Sequence, residues 1–236
     1  MFRNGRLRAA RDRSEVAIGS WLVTDATAEC YGEAIPRYVG GRLIDLGCGK
    51  APLFEAYRPH ATDVVWVDWA GSVHDNPDLD FEVDLNGPLP FASSEFDTII
   101  LSDVLEHIAR PEQLFGEMAR ILAPGGRILM NVPFLYQIHE RPNDYYRYTE
   151  FALRRFARTS ELEVLTLRAV GGSPDVVADL LAKHLQFVPL VGPFLAWSAQ
   201  AVAIAFRRTG VGRRVAERTG RAFPLGYFMV GERAAL

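Results

Sequence analysis

The sequence predicts an α/β fold: a doubly wound, seven-stranded sheet with helices on both faces and a helical insertion before its last strand. Three observations lead there. Short apolar, β-branched runs alternate with helical patterns from residue 42 to residue 170. A glycine turn, Gly47-Cys48-Gly49, follows the first of these runs. Polar residues then stand at or near the ends of four successive runs, at Asp45, Asp68, Asp84 and Ser102-Asp103. In sheets of this kind, ligands bind outside the carboxyl ends of the strands.

The elements follow in order. Thr24 is placed to cap a helix running toward Tyr38, and Gly40-Gly41 ends it. Residues 42–46 read as a buried strand. Pro52 suits the first turn of a helix reaching Tyr57. Residues 64–67, 81–83 and 96–101 read as the next three strands. Pro111 opens a helix to about Leu122, which Pro124-Gly125-Gly126 stops, and residues 127–132 form a fifth strand. Thr149 caps a helix over 150–157, 163–170 alternates as a sixth strand, and 227–231 reads as a seventh. Two connections are too long for turns: 133–148, and 171 to about 225, which must contain helices of its own. The domain division expected is therefore 1–40 as an N-terminal helical cap, 41–170 as the α/β core, 171–226 as the helical insertion and 227–236 as the strand completing the core.

Composition narrows the function classes. The formal net charge of −3 removes whole-molecule attraction to nucleic acid. Two cysteines, Cys30 and Cys48, make no disulfide framework and no zinc-type spacing, which points to a reduced, cytoplasmic setting. The Arg-rich N-terminus lacks the apolar core of a secretory signal. Residues 185–206 carry no charge and are followed by Arg207-Arg208. Pro189, Gly192, Pro193, Ser198 and Gln200 interrupt that run. It reads as a buried or interface helix from near Pro193 to Phe206, ahead of peripheral membrane contact and of a true span. Homodimerisation would bury such a face. The arginines from Arg207 to Arg221 read as a solvated face, with contact to phosphate, anionic glycan or lipid as the sharper alternative.

The glycine turn allows a ligand close to the backbone. A dinucleotide fingerprint would carry a third glycine where Pro52 stands, which argues against a nicotinamide cofactor. A carboxylate at Asp68 suits the two hydroxyls of a ribose, and Asp84 suits an adenine amino group. The run Leu43-Ile44-Asp45-Leu46-Gly47-Cys48-Gly49, Asp68, Asp84-Leu85, Ser102-Asp103-Val104-Leu105-Glu106-His107 and Leu122-Ala123-Pro124-Gly125-Gly126 resemble the class I S-adenosylmethionine-dependent methyltransferases. The resemblance covers residues 41–132 well and 227–231 weakly, the latter as a final antiparallel strand. It implies a Rossmann-like methyltransferase sheet and S-adenosylmethionine as cofactor. On that resemblance, Asp45, Gly47 and Gly49 line the methionine end with Cys48 between them. Asp68 holds the ribose, Asp84 and Leu85 frame the adenine, Trp69 packs on adenine or ribose or serves the core, and Ser102 completes the set.

Methyl transfer is an in-line displacement in which positioning supplies much of the acceleration. An alcohol acceptor also needs a base. Two histidine sites qualify. If Asp103 opens a helix, Asp103, Glu106 and His107 share one face and can hold Mg²⁺; some quinone O-methyltransferases are similar here. A capping box, with Asp103 as N-cap and Glu106 reaching back, is the competing expectation. The second site follows the fifth strand. His139 is the expected general base, Glu140 orients it or binds an acceptor hydroxyl, and Asp144, Tyr145 and Arg147 complete the catalytic set. An Asp144–Arg147 ion pair pinning a lid would leave His139 merely exposed.

The segment 139–149 resembles that of methyltransferases of glycan and polysaccharide synthesis, implying transfer to a sugar or oligosaccharide hydroxyl. Small phenols, quinones and other natural products are alternative acceptors. A nicotinamide-dependent reductase and a non-catalytic, membrane-associated nucleotide-binding module are the rivals from other classes.

Overall fold

The structure is a computed structural model that describes residues 2–3, 6–72 and 76–235, and counts below refer to those residues. Compactness divides the chain into two units.

The larger unit comprises Glu33–Pro133, Gln137–Arg168 and Phe228–Leu236. Two short N-terminal strands, β1 (Phe2–Arg3) and β2 (Arg6–Leu7), pair with each other outside it. Its sheet is built from β3 (Arg42–Leu46), β4 (Asp63–Asp68), β5 (Phe81–Glu82), β6 (Phe96–Ser102), β7 (Leu122–Pro133), β8 (Leu162–Val170) and β9 (Gly226–Arg233). The order across the sheet is β5-β4-β3-β6-β7-β9-β8, so the last strand of the chain lies between β7 and β8. β3 runs parallel to both β4 and β6, β4 to β5, and β6 to β7. Parallel strands are covered on both faces and must be apolar throughout. Leu43, Ile44, Leu46, Ile99, Ile100, Leu101, Ile128, Leu129 and Met130 are accordingly fully buried.

Helices α2 (Phe54–Tyr57), α3 (Pro111–Ile121) and α4 (Glu150–Thr159) flank the sheet. On α3, Leu114, Phe115, Met118 and Ile121 are buried at helical spacing, and Phe115 meets Phe156 of α4 with ring centroids 5.4 Å apart. Thr149 caps α4 as expected, accepting from Ala152 N at 3.3 Å. Pro52 does not open α2, because the chain first makes a turn and enters the helix only at Phe54. Pro124-Gly125-Gly126 does not separate α3 from a strand either. Phe96 pairs with Leu122 and Thr98 with Arg127, so residues 123–126 bulge from a continuous β7.

The smaller unit comprises Met1–Gly32, Phe134–Tyr136 and Ala169–Tyr227. α1 (Trp21–Tyr38) begins three residues before Thr24, whose hydroxyl donates to Ser20 O instead of capping. The long connection before β9 holds α5 (Ser173–Leu185), α6 (Gly192–Arg208) and α7 (Gly210–Gly220). Leu22, Val176, Ala178, Ala203 and Leu225 form its core. Three polar anchors are buried with it. Asp175 accepts from Gly172 N and from Arg207, Lys183 pairs with Asp179 beneath the Tyr136 ring, and Gln200 bridges Leu22 N and Ile18 O. The inward Gln200 and the outward Phe194, Trp197 and Val202 make α6 two-faced. Among the described residues no helix is long and apolar enough to cross a membrane.

Candidate active site

The carboxyl ends of β3, β4, β6 and β7 share one edge of the sheet, and the sequence-selected residues gather there. The chain leaving β3 turns sharply: Gly47 N and Cys48 N both donate to Val67 O, at 2.7 and 3.0 Å. Gly47 sits at φ +71°, and a Cβ there would lie 2.5 Å from Val104 Cγ2. Only glycine fits. Below the turn, Asp45 is buried and accepts from the Tyr57 hydroxyl at 2.9 Å, while Tyr57 accepts in turn from Trp66 Nε1. Burial pushes the Asp45 carboxyl up to about 7, against the Tyr57 hydrogen bond and with help from the nearby Asp68 charge. Burial, with Asp45 and Asp68, pushes the Cys48 thiol up to about 12, so it is an inert lining group. Asn76 Nδ2 donates to Gly49 O at 2.9 Å, pinning the far side of the turn.

Asp68 is buried at the end of β4, accepting from Trp69 N at 2.9 Å, and the Trp69 ring is half exposed beside it. Leu85 is buried. Asp84 lies past the end of β5 and is exposed, with its Oδ1 accepting from Asn86 N and Nδ2 in a local turn. Ser102 ends β6, its hydroxyl 3.5 Å from Asp103 Oδ2. A left-handed glycine turn with no room for a side chain, a buried strand-end carboxylate and an exposed indole beside it fit an adenosyl cofactor.

The second half of the site differs from the sequence expectation. Asp103 does not open an α-helix. It takes a left-handed φ of +53° and accepts from Asn131 Nδ2 at 2.6 Å, and only a single 3₁₀ turn, Leu105–His107, follows. The N-cap of that turn is Val104, with no side-chain cap, so the capping box is absent too. Of the set Asp103, Glu106 and His107 expected for a metal, Glu106 and His107 converge, while Asp103 is held by Asn131 within electrostatic reach of Glu106 and His139. The side chains that do converge are Glu106, His107 and His139, whose ligand atoms all lie within 4.8 Å of one another. Two imidazoles and one carboxylate are not the oxygen set that Mg²⁺ prefers.

The geometry of this cluster is tight. His107 Nε2 and His139 Nε2 are 3.1 Å apart, and Glu106 Oε1 lies 3.7 Å from the first and 3.5 Å from the second. The Glu106 carboxylate is fully buried, and neither of its oxygens has a hydrogen-bond donor. Burial would lower the His139 pKa, but the Glu106, Asp144 and Glu140 carboxylates outweigh it and raise it. Glu140 reaches His107 Nε2 at 3.9 Å from a left-handed backbone position.

The loop carrying His139 is anchored to the 3₁₀ turn by contacts whose partners the sequence did not show. Tyr145 N and Tyr146 N donate to Glu106 O, and Tyr148 Oη donates to Leu105 O at 3.0 Å. Asp144 accepts from His139 N at 2.9 Å and from Arg147, whose Nη2 also donates to Gln137 O. The Arg147 hydrogen bond holds the Asp144 carboxyl well below the ordinary carboxylate range. Thus the expected Asp144–Arg147 pair does pin the loop, yet it delivers His139 to the cluster instead of leaving it exposed. Tyr145 and Tyr146 present their rings outward.

A family profile described as a methyltransferase domain matches residues 23–169, more than half of the chain. The chain belongs to this methyltransferase family. Its fold is shared with S-adenosylmethionine-dependent methyltransferases, and with the family shown the nicotinamide-reductase alternative falls away. Among curated relatives, the demethylmenaquinone methyltransferase of Renibacterium salmoninarum is 29% identical over 103 residues, 42% of this chain and 44% of that protein. The ubiquinone biosynthesis O-methyltransferase of Coxiella burnetii is 24% identical over 62% of this chain and 76% of that one. The methyltransferase thus spans less than half the length of the first two relatives it matches, 44% and 41%. Among solved structures, an S-adenosylmethionine-dependent methyltransferase from Mesorhizobium loti aligns with a TM-score of 0.55 at 16% identity, over 88% of this chain and all of that one. The [4+2]-cyclase SpnF aligns at 0.58 with 18% identity, over 98% and 87%. At these identities the likeness is one of fold, and SpnF shows that the fold alone does not name a reaction.

Proposed function

We propose that this methyltransferase carries a methyl group from S-adenosylmethionine to a hydroxyl oxygen, on a sugar or oligosaccharide. The observation that carries this reading is the Glu106–His107–His139 cluster, set at the strand ends on the same sheet edge as the glycine turn. In the proposed site, Gly47, Cys48 and Gly49 lie along the cofactor's methionine end over Asp45. Asp68 and Trp69 take the ribose, Asp84 and Leu85 frame the adenine, and Ser102 borders the sulfur. The bound cofactor supplies an electrophilic methyl group whose bond to sulfur breaks as the new C–O bond forms. The acceptor hydroxyl gives its proton to the imidazole–carboxylate cluster, with His139 as the primary acceptor of that proton. Asp144 and Arg147 hold His139 in place, and Glu140 and Tyr145 bind acceptor hydroxyls.

The outward tyrosine rings and the polar rim of the loop favour a hydroxylated ring as acceptor. A phenolic or quinol acceptor is the second reading, supported by the named quinone-pathway relatives. The test is release of S-adenosylhomocysteine with a panel of sugars, oligosaccharides and quinols. The panel includes the reducing end of a methylmannose oligosaccharide, because residues 139–149 resemble glycan methyltransferases, the methylmannose polysaccharide 1-O-methyltransferase among them. His139→Ala should lower kcat by about 10²–10⁴-fold while calorimetric affinity for S-adenosylmethionine stays within twofold. Methyl transfer only to nitrogen or carbon, or an unimpaired His139→Ala enzyme, would reject the reading. The outward apolar row on α6 supports a homodimer as the working form, with peripheral membrane contact as its alternative.

A further inference from the structure

We infer that Glu106, His107 and His139 form a site for one divalent transition-metal ion of the zinc class. The spacing is the first reason. Such ions hold nitrogen and oxygen ligands at about 2.0–2.2 Å, which sets neighbouring ligand atoms about 3–3.7 Å apart. The three separations here are 3.1, 3.5 and 3.7 Å.

The proton positions are the second reason. His107 Nδ1 lies 2.9 Å from the Asn143 carbonyl, which can only accept, so the proton is on Nδ1 and Nε2 presents a lone pair. His139 Nδ1 faces the Asp144 carboxylate, 3.4 Å from Oδ2, so Nε2 is the ring nitrogen that points toward His107 and Glu106. The two Nε2 atoms then lie 3.1 Å apart beside a fully buried carboxylate neither of whose oxygens has a hydrogen-bond donor. A shared proton relieves one pair of these atoms, whereas one divalent cation satisfies all three.

The surroundings match what a metal-bound histidine needs. A backbone carbonyl stands behind His107 and a carboxylate behind His139, the outer partners that fix tautomer and ring orientation. Arg147 in turn holds that carboxylate. On the solvent side, Glu140 is 3.9 Å from His107 Nε2 with its side chain 41% exposed, leaving coordination positions for an oxygen from outside. Imidazole ligands favour zinc, cobalt, nickel or iron over magnesium and calcium. Binding of the ion stands apart from the reaction. That an acceptor oxygen takes the open position rests on the methyl-transfer reading above; with the ion bound, His139 Nε2 would be a ligand and the acceptor's proton would pass to the Glu140 carboxylate beside it.

The test uses the full chain stripped of metal by chelator and titrated calorimetrically with Zn²⁺, then loaded with Co²⁺ for visible absorption. Expected are one equivalent of Zn²⁺ and Co²⁺ ligand-field bands. His107→Ala, His139→Ala and Glu106→Gln should each weaken Zn²⁺ by at least about tenfold, and Asp144→Asn by about 10–100-fold. Circular dichroism identifies any variant that fails to fold, and the unsubstituted chain then decides alone through its Co²⁺ spectrum. Absence of both Zn²⁺ heat and Co²⁺ bands overturns the inference. So does Zn²⁺ binding that none of the four substitutions weakens. Metal bound at these residues in a protein that transfers no methyl to oxygen would uphold the site and reject only the proposed reaction.

Discussion

Asp45 shows how far one residue's chemistry follows from where it is buried. It sits under the glycine turn with a single hydroxyl partner, and its carboxyl is raised to about 7. An acid whose folded pKa exceeds its unfolded value stabilises the fold fully at low pH and loses that contribution as pH rises through the folded value. The window here runs from about pH 4, the unfolded carboxylate value, to about pH 7. Asp45→Asn keeps the acceptor for Tyr57 and removes the ionisation. The variant should match the parent in thermal unfolding near pH 4 and gain on it up to pH 8, by ~4 kcal/mol at most. Its affinity for S-adenosylmethionine should fall. Equal pH dependence of parent and variant would show that Asp45 does not titrate in this range. The residue was visible in the sequence as an acid at a strand end. Its partner Tyr57 was not, because nothing in a twelve-residue separation shows that α2 folds the phenol back over β3.

At the scale of elements, the segment 137–148 is a loop hung on the 3₁₀ turn of residues 105–107 through the Glu106 carbonyl. Its other support is Asp144, almost fully buried and ion-paired to Arg147. Removing Arg147 leaves the Asp144 carboxylate without its charge partner and the Gln137 carbonyl without its donor. Arg147→Ala should therefore sharply raise amide exchange and proteolytic cleavage in 137–148. Exchange in β3, β6 and β7 should stay slow, since those strands do not depend on the loop. Uniform loss of protection across the sheet would show that the pair supports the whole core. The sequence marked this segment by its density of polar and aromatic groups and by its position after a strand. It could not show that Asp103 turns left-handed and leaves Glu106 to face His139, because helix and 3₁₀ turn share the same local residues there. Tertiary contact with Asn131 decided between them.

For the whole molecule, α6 presents Phe194, Trp197 and Val202 outward, at 65, 51 and 69% exposure, which is the basis of the proposed homodimer. Sedimentation equilibrium should return twice the chain mass, and Trp197→Glu should return the single-chain mass with its melting temperature kept. A monomer at micromolar concentration would remove the dimer. Vesicle co-sedimentation that Trp197→Glu abolishes would instead favour the membrane surface.

The sequence by itself determined the sheet and its winding, and it marked the glycine turn and strand-end acids proposed to hold the cofactor. Those features are local: alternating apolar runs dictate strands and helices, and a glycine that tolerates no side chain marks the tight turn after the first core strand. Tertiary structure alone decided which groups face one another at the other half. Glu106 and His139 lie thirty-three positions apart, and only the parallel pairing of β6 with β7, with the loop pinned back onto residue 106, brings them within 3.5 Å. Periodicity records which face of an element is apolar. It carries no information about which distant polar side chains the chain must close around.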